Sequence, residues 1–249
     1  MTARAEADGR RAHASRIRVV RLLLFCALGS FASESACAEI GLTASIFSDA
    51  RFRGYSLSEG EPVGNLDFAY DDASGFYAGG AASAFLRHGE YPTPLAVQVD
   101  AGYAKELASG TTLDLGVTHS NYSHYSRSQR GNSYTEIYAG LGWRRLSSRL
   151  SFSPHYFDAG RWTAYGELNG QISPASKWTV NGHAGILVPL RTPSQSSSRT
   201  NVDWSIGATR ELGRLALHAA WSDGSPGRDF YGKRPHSRSA VVVGASFIL

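Results

Sequence analysis

From Glu39 to Leu249 the chain repeats one rule: every second residue of a short segment is apolar, and the residues between are polar or glycine. Val202, Trp204, Ile206 and Ala208 alternate with Asp203, Ser205, Gly207 and Thr209. Leu113, Leu115 and Val117 alternate with Asp114, Gly116 and Thr118, and Ile137, Ala139, Leu141 and Trp143 with Glu136, Tyr138 and Gly140. Leu95, Val97, Val99, Ala101 and Tyr103 flank Gln98, Asp100 and Gly102 in the same way. A period of two is that of an extended strand, whose side chains point alternately to its two faces. Carboxylates fall on the polar face each time. A closed membrane barrel produces this pattern, because a tilted strand of about 9–11 residues crosses the bilayer with one face in lipid and the other toward the lumen.

The rest of the sequence narrows the alternatives. No run of about 18 apolar residues marks a spanning helix. The first 38 residues read as a secretory signal peptide: Arg10, Arg11, Arg16, Arg18 and Arg21, an apolar stretch from Leu22 to Ala32, then Ala36-Cys37-Ala38 before Glu39. A lipoprotein cut before Cys37 is the competing reading, but Glu34-Ser35-Ala36 lacks the expected apolar residue. Cleavage after Ala38 leaves a domain of residues 39–249 and removes Cys26 and Cys37, so no thiol chemistry remains. It also removes six arginines against Glu6, Asp8 and Glu34, reducing the formal charge from +4 to +1. No basic field is left to attract nucleic acid.

The ladder divides into twelve strands, near 40–57, 63–72, 75–87, 94–106, 110–122, 132–145, 148–156, 160–173, 176–190, 200–211, 213–223 and 238–249. Tight turns such as Asp72-Ala73-Ser74 and Pro174-Ala175 alternate with longer connections such as 123–131 and 224–237. The expected fold is an all-β transmembrane antiparallel up-and-down barrel with both termini periplasmic, tight turns inside and long loops outside. Tyr122, Tyr134, Tyr156, Trp162 and Trp221 suit the outer membrane interface, and Trp143 and Trp178 the inner one.

Several stretches resemble the TorF family of porin-like proteins, also known as the Gcw_chp family of proteobacterial proteins. They are FRGYSLS (52–58), SGFYAGGAAS (74–83), DAGY (100–103), YTEIYAGLGW (134–143), SPHYFDAG (153–160) and WSIGATRELG (204–213). The resemblance covers most of the chain after residue 38. It implies an outer-membrane barrel with a channel role. Leu249 departs from the terminal Phe that such barrels favour, although Phe247 and Leu249 keep the apolar spacing.

With the apolar faces in lipid, Asp67, Asp100, Asp114, Glu136, Glu167 and Asp203 point into the lumen beside Gln98, Asn169, Asn181 and His183, with Arg53 and Arg149 as basic partners. They line a water path that favours cations or hydroxylated solutes, or they fill a narrow barrel as structural ion pairs. Arg127, Arg130, Arg191, Arg199, Arg228, Lys233, Arg234 and Arg238 fall in the outer loops, as contacts for lipopolysaccharide phosphates or as ordinary solvated charges.

Chemistry beyond diffusion finds little support. In THSNYSHYS (118–126), His119 and Ser120 are adjacent and face opposite ways, while His124 and Ser126 have usable spacing but no evident carboxylate. No phosphate-cradling glycine loop or metal-ligand spacing occurs, so no metal or cofactor is expected. The sequence therefore reads as an outer-membrane channel for small hydrophilic solutes, partnered by outer-membrane lipid, lipopolysaccharide and the barrel-insertion machinery. The alternatives are a non-conducting structural or adhesive barrel and, third, a lipid hydrolase.

Overall fold

The structure, a computed structural model, describes residues 39–107, 110–123, 132–157, 159–193, 199–225 and 239–249. The expected signal peptide, 1–38, lies outside the described residues. Among the described residues fourteen strands are formed: β1 Glu39–Phe47, β2 Arg51–Phe52, β3 Tyr55–Ser56, β4 Val63–Asp71, β5 Phe76–Phe85, β6 Thr93–Glu106, β7 Thr111–Tyr122, β8 Ser133–Trp143, β9 Leu146–Ser153, β10 Trp162–Ala175, β11 Trp178–Arg191, β12 Asn201–Leu212, β13 Leu215–Gly224 and β14 Ala240–Ile248. Twelve of them close an antiparallel barrel in sequence order, β1 pairing with β14 on one side and β4 on the other. Strands β2 and β3 form a separate two-stranded hairpin. Closure pairs both edges of each of the twelve wall strands, which is the condition for a sheet in hydrocarbon.

The alternation seen in the sequence sets the two faces. Outward positions carry large exposed apolar groups on strand after strand, from Leu66 and Phe68 on β4 through Ile137 and Leu141 on β8 to Val241 and Val243 on β14. All five tryptophans of the chain are on this outer surface. The inward positions are polar or small and largely buried, among them Asn65, Asp114, Glu136, Asn169, Asp203, His218 and Ser246.

Four expectations need correction. The tight turn expected at Pro174-Ala175 falls at Ser176-Lys177, because β10 runs on to Ala175. The first strand does not run to residue 57: it leaves the barrel at Phe47, and residues 48–62 fold into the hairpin before β4 begins. Leu95 is not on the outer face with Val97 and Val99 but is only 1% exposed. Ser83 pairs with Ala96 and Ala84 with Pro94, so Leu95 is the extra residue of a bulge, and its side chain turns inward. Tyr122, Tyr134 and Tyr156 are not membrane-interface residues, for all three are buried inside the barrel, Tyr134 at 3% exposure. Tyr134 shares the parity of Glu136 and Tyr138, and parity overrides the general preference of tyrosine for interfaces.

Candidate functional site

The lumen is organised by a row of residues that cross five strands at one level. In the ladder Tyr77 on β5 is opposite Gly102 on β6, Gly102 opposite Gly116 on β7, Gly116 opposite Tyr138 on β8, and Tyr138 opposite Ser151 on β9. All point inward, and the two glycines leave the wall between the tyrosines bare. The rings lie down over it: a Cβ at Gly102 would stand 2.5 Å from Cζ of Tyr77, and one at Gly116 would stand 2.6 Å from Cζ of Tyr138. Glycine is required here for space. The two hydroxyls meet in a hydrogen bond, and that of Tyr77 also donates to the carboxylate of Asp114. Arg149 Nη2 donates to the other oxygen of Asp114 at 3.0 Å, with its guanidinium 4.1 Å above the Tyr138 ring. One carboxylate on β7 thus joins β5 and β9, and the Tyr77 hydroxyl carries the link on to Tyr138 of β8.

A second carboxylate takes its partner from the hairpin. Arg53 Nη2 donates to both oxygens of Glu136, at 2.8 and 2.7 Å, linking residues 83 positions apart. The Arg53 side chain is 8% exposed, and its guanidinium faces the rings of Tyr165 at 3.9 Å, Phe52 at 5.0 Å and Tyr156 at 5.2 Å. Burying an ion costs several kcal/mol unless it is paired and solvated by dipoles or rings, and this pair has both. Arg53 has φ +47°. A left-handed conformation costs a side-chain-bearing residue roughly 1–2 kcal/mol, which docking at Glu136 must offset.

A third group gathers on β10, β11 and β12. Asp203 accepts from the Tyr165 hydroxyl at 3.2 Å and lies 2.8 Å from Nε2 of His183, whose Nδ1 is 2.6 Å from Oδ1 of Asn169. Gly185 leaves room for the Tyr165 ring, as Gly102 and Gly116 do for theirs.

The hairpin closes over these groups from the long-loop end. Ala50, Phe52 and Leu57 join Val63, Phe85, Leu95, Tyr122, Tyr134, Tyr156, Phe157, Tyr165 and Leu187 in one apolar cluster inside the barrel. Phe52 is 5.6 Å from the Tyr122 ring and 6.1 Å from that of Tyr134. Beneath it a cavity of about 720 Å³ runs from Arg51, Arg53 and Gly54 to the β6–β7 and β8–β9 turns, reaching Glu106, Gly110, Arg144 and Arg145.

Of the residues picked out from the sequence, Asp114, Glu136, Glu167, Asp203 and Arg53 border this cavity together with Arg149, Gln98, Asn169, Asn181 and His183. Glu167 is opposite Arg149 in the ladder. Asp67 and Asp100 occupy inward positions of β4 and β6 outside the cavity lining, and Oδ1 of Asp67 is buried without a hydrogen bond. Arg53 reaches the lumen from the hairpin and not, as its place in the sequence suggested, from a wall strand. Arg191 closes β11, its guanidinium 5.8 Å from the Trp162 ring, and Arg199 is exposed. Arg127, Arg130, Arg228, Lys233, Arg234 and Arg238, with His124 and Ser126, lie outside the described residues. His119 and Ser120 do face opposite ways: Ser120 is buried, and His119 is exposed beside Thr135. Among the described residues no three His, Cys, Asp or Glu side chains are grouped to hold a metal.

Sequence reasoning missed Tyr77, Tyr165 and the paired glycines. Their signal was present, since each shares the parity of a carboxylate on its own or a neighbouring strand, but the ladder register is needed to read it.

A model of the family described as "Bacterial protein of unknown function (Gcw_chp)" matches residues 32–246. No protein of curated function matches the sequence. Among solved structures, the NanC porin is similar over 85% of this chain and 100% of its own, with a TM-score of 0.58 at 12% identity. The KdgM porin is similar over 83% and 98%, with a TM-score of 0.52 at 10% identity. At these identities the likeness is one of fold, that of outer-membrane porin barrels.

Proposed function

The chain belongs to the Gcw_chp family, and from that premise and the geometry of its lumen we propose that it is an outer-membrane channel for the passive diffusion of small hydrophilic solutes. The observation that carries the reading is the pairing of an apolar outer belt with a charged cavity of about 720 Å³ inside the wall. A barrel that only needed to be solid would fill its lumen with side chains, as small barrels do. The porin fold of the NanC and KdgM structures supports it, and so does the narrower resemblance to the TorF group. In this reading tight turns and both termini face the periplasm after export by the 1–38 signal peptide, and the long loops face outward. Arg191 and Arg199, with the basic residues of the other outer loops, meet lipopolysaccharide phosphates, and β14 is the strand offered to the insertion machinery.

Asp67, Asp100, Asp114, Glu136, Glu167 and Asp203 set the electrostatics of the path together with Arg53. Five carboxylates border the cavity, but so do five guanidinium groups, those of Arg51, Arg53, Arg144, Arg145 and Arg149. This balance favours weak ion selectivity over a marked cation preference. No catalytic role is assigned to any residue.

Purified protein in a planar bilayer tests the proposal: discrete single-channel steps and uptake of small neutral solutes into vesicles are expected. A folded protein that leaves both bilayers and vesicles sealed refutes it. The second reading, a non-conducting structural or adhesive barrel, is favoured by the apolar cluster that the hairpin builds inside the long-loop end.

A further inference from the structure

The segment from Ser48 to Pro62 is organised around itself. Asp49 accepts from Ser56 Oγ at 2.5 Å, Ser58 Oγ at 2.7 Å and the Gly60 amide at 3.2 Å, and pairs with Arg51 at 3.4 Å. Ser58 Oγ accepts in addition from the amide of Ala50 at 2.9 Å. These bonds all close within the segment, so they persist whether or not it is docked on the wall. Its two ends are fixed points: Ser48 N donates to the Val243 carbonyl at 2.9 Å, and Leu86 N to that of Pro62 at 2.8 Å. Between a firm base and a self-supporting tip, Arg53 makes a two-oxygen charged bond to Glu136 of the wall, while Arg51, paired within the hairpin to Asp49, also feels the charge of Asp223 on β13. Arg53 is also where the chain holds a left-handed turn with Gly54, whose Cα side approaches Gly224 and Asp203 closely.

We infer that this hairpin is a gate over the lumen and that the Arg53–Glu136 pair is its latch. The inference rests on the channel reading and names how that channel is regulated. Docked, the tip caps the cavity with Phe52 and its neighbours. With the latch broken, the strained turn at Arg53 relaxes, Phe52 leaves the tyrosine cluster, and the polar groups around Asp49 hold the tip together while it swings on Ser48 and Pro62. The cap is then removed without disturbing the barrel ladder, which pairs Phe47 with Val63 at the base.

The test compares the full-length chain with three variants in planar bilayers in potassium chloride. One variant is Arg53→Ala with Glu136→Ala, which removes both charges together so that neither is left buried alone. The second replaces residues 51–56 by a short glycine-serine link, and the third is Arg53→Lys. Heat-modifiable gel migration verifies that each barrel is folded. The double and shortened variants should raise time-averaged conductance about tenfold over the parent, equivalent to about 1.4 kcal/mol of latch free energy, and Arg53→Lys by less. The shortened variant keeps the test valid if the double variant does not fold. Equal conductance and equal solute size limits for the parent and the shortened barrel overturn the gate and leave the channel standing. A folded, shortened barrel that does not conduct refutes the channel reading itself.

Discussion

Replacing Gly116 by alanine adds one methyl group to the floor on which two tyrosine rings rest. That methyl would sit 2.6 Å from Cζ of Tyr138 and 2.7 Å from the carbonyl oxygen of Ala101. The ring can lift, but the carbonyl belongs to the ladder and yields little. Overpacking of this kind costs about 1–3 kcal/mol. Lifting the ring also breaks its contact with Tyr77, strains the bonds at Asp114 and moves it away from the Arg149 guanidinium, adding about 1 kcal/mol for a hydrogen bond lost in a buried setting. The expected loss is about 3 kcal/mol, read as the shift in urea unfolding of the barrel in lipid vesicles by tryptophan fluorescence. The decisive comparison is the same substitution in a Tyr138→Ala background. There the ring is gone and only the carbonyl contact remains, so the cost of Gly116→Ala should fall to about 1 kcal/mol, a coupling of about 2 kcal/mol between the sites. Costs that add to within about 0.5 kcal/mol in the double variant would refute the idea that glycine is there to seat the ring.

Other expected outcomes follow from single residues. Leu150→Arg on the lipid face should destabilise the barrel in vesicles by about 2–4 kcal/mol, whereas an arginine introduced at an inward position should cost much less. Asp114→Ala removes the acceptor of both the Arg149 guanidinium and the Tyr77 hydroxyl, so urea unfolding should show a loss of about 1–3 kcal/mol, with Tyr77→Phe costing less than half as much. In the β4–β5 turn, hydrogen bonds from the Ser74 hydroxyl and amide hold the Asp72 carboxyl below the usual carboxylate range. A depressed folded value means that this contribution is full above the unfolded pKa and is lost as pH falls through the folded one. Ser74→Ala should therefore move the Asp72 titration upward in an NMR pH series, and an unchanged midpoint would exclude the hydroxyl as the cause.

Much of the wall was legible because the physics that writes it is local. Val97, Val99, Leu115, Ile137 and Val202 had to alternate with Gln98, Asp114, Glu136 and Asp203 in any strand with lipid on one side, and turn chemistry marked most strand ends to within two residues. Residues 48–57 misled because a hairpin folded into a lumen also alternates; Arg53-Gly54 held the turn signal, but the apolar neighbours of Arg53 read equally well as strand. Leu95 broke the rule because one extra residue in β6 reverses parity, with Pro94 the only local sign. The contacts that build the site were beyond the sequence for another reason. Arg53 meets Glu136, and Tyr77 meets Tyr138, only because the wall curves and the register is staggered, and neither curvature nor stagger is encoded at any single position.

The closure of the barrel by β1 and β14 has a consequence for how the molecule is made. Thr43 pairs with Ile248 and Phe47 with Gly244, so the first wall strand waits for the last before both its edges are satisfied. Every other seam joins wall strands that follow one another along the chain, β1 and β4 across the lumen hairpin included, and can form early; this one spans nearly the whole domain, and its loop entropy must be met before any bond is gained. Until then β1 and β14 are open edges, able to pair with another chain or with a strand of whatever escorts them. Assembly thus ends in a single late step, and a chain stopped short of β14 has eleven strands' worth of ladder and nowhere to put its first.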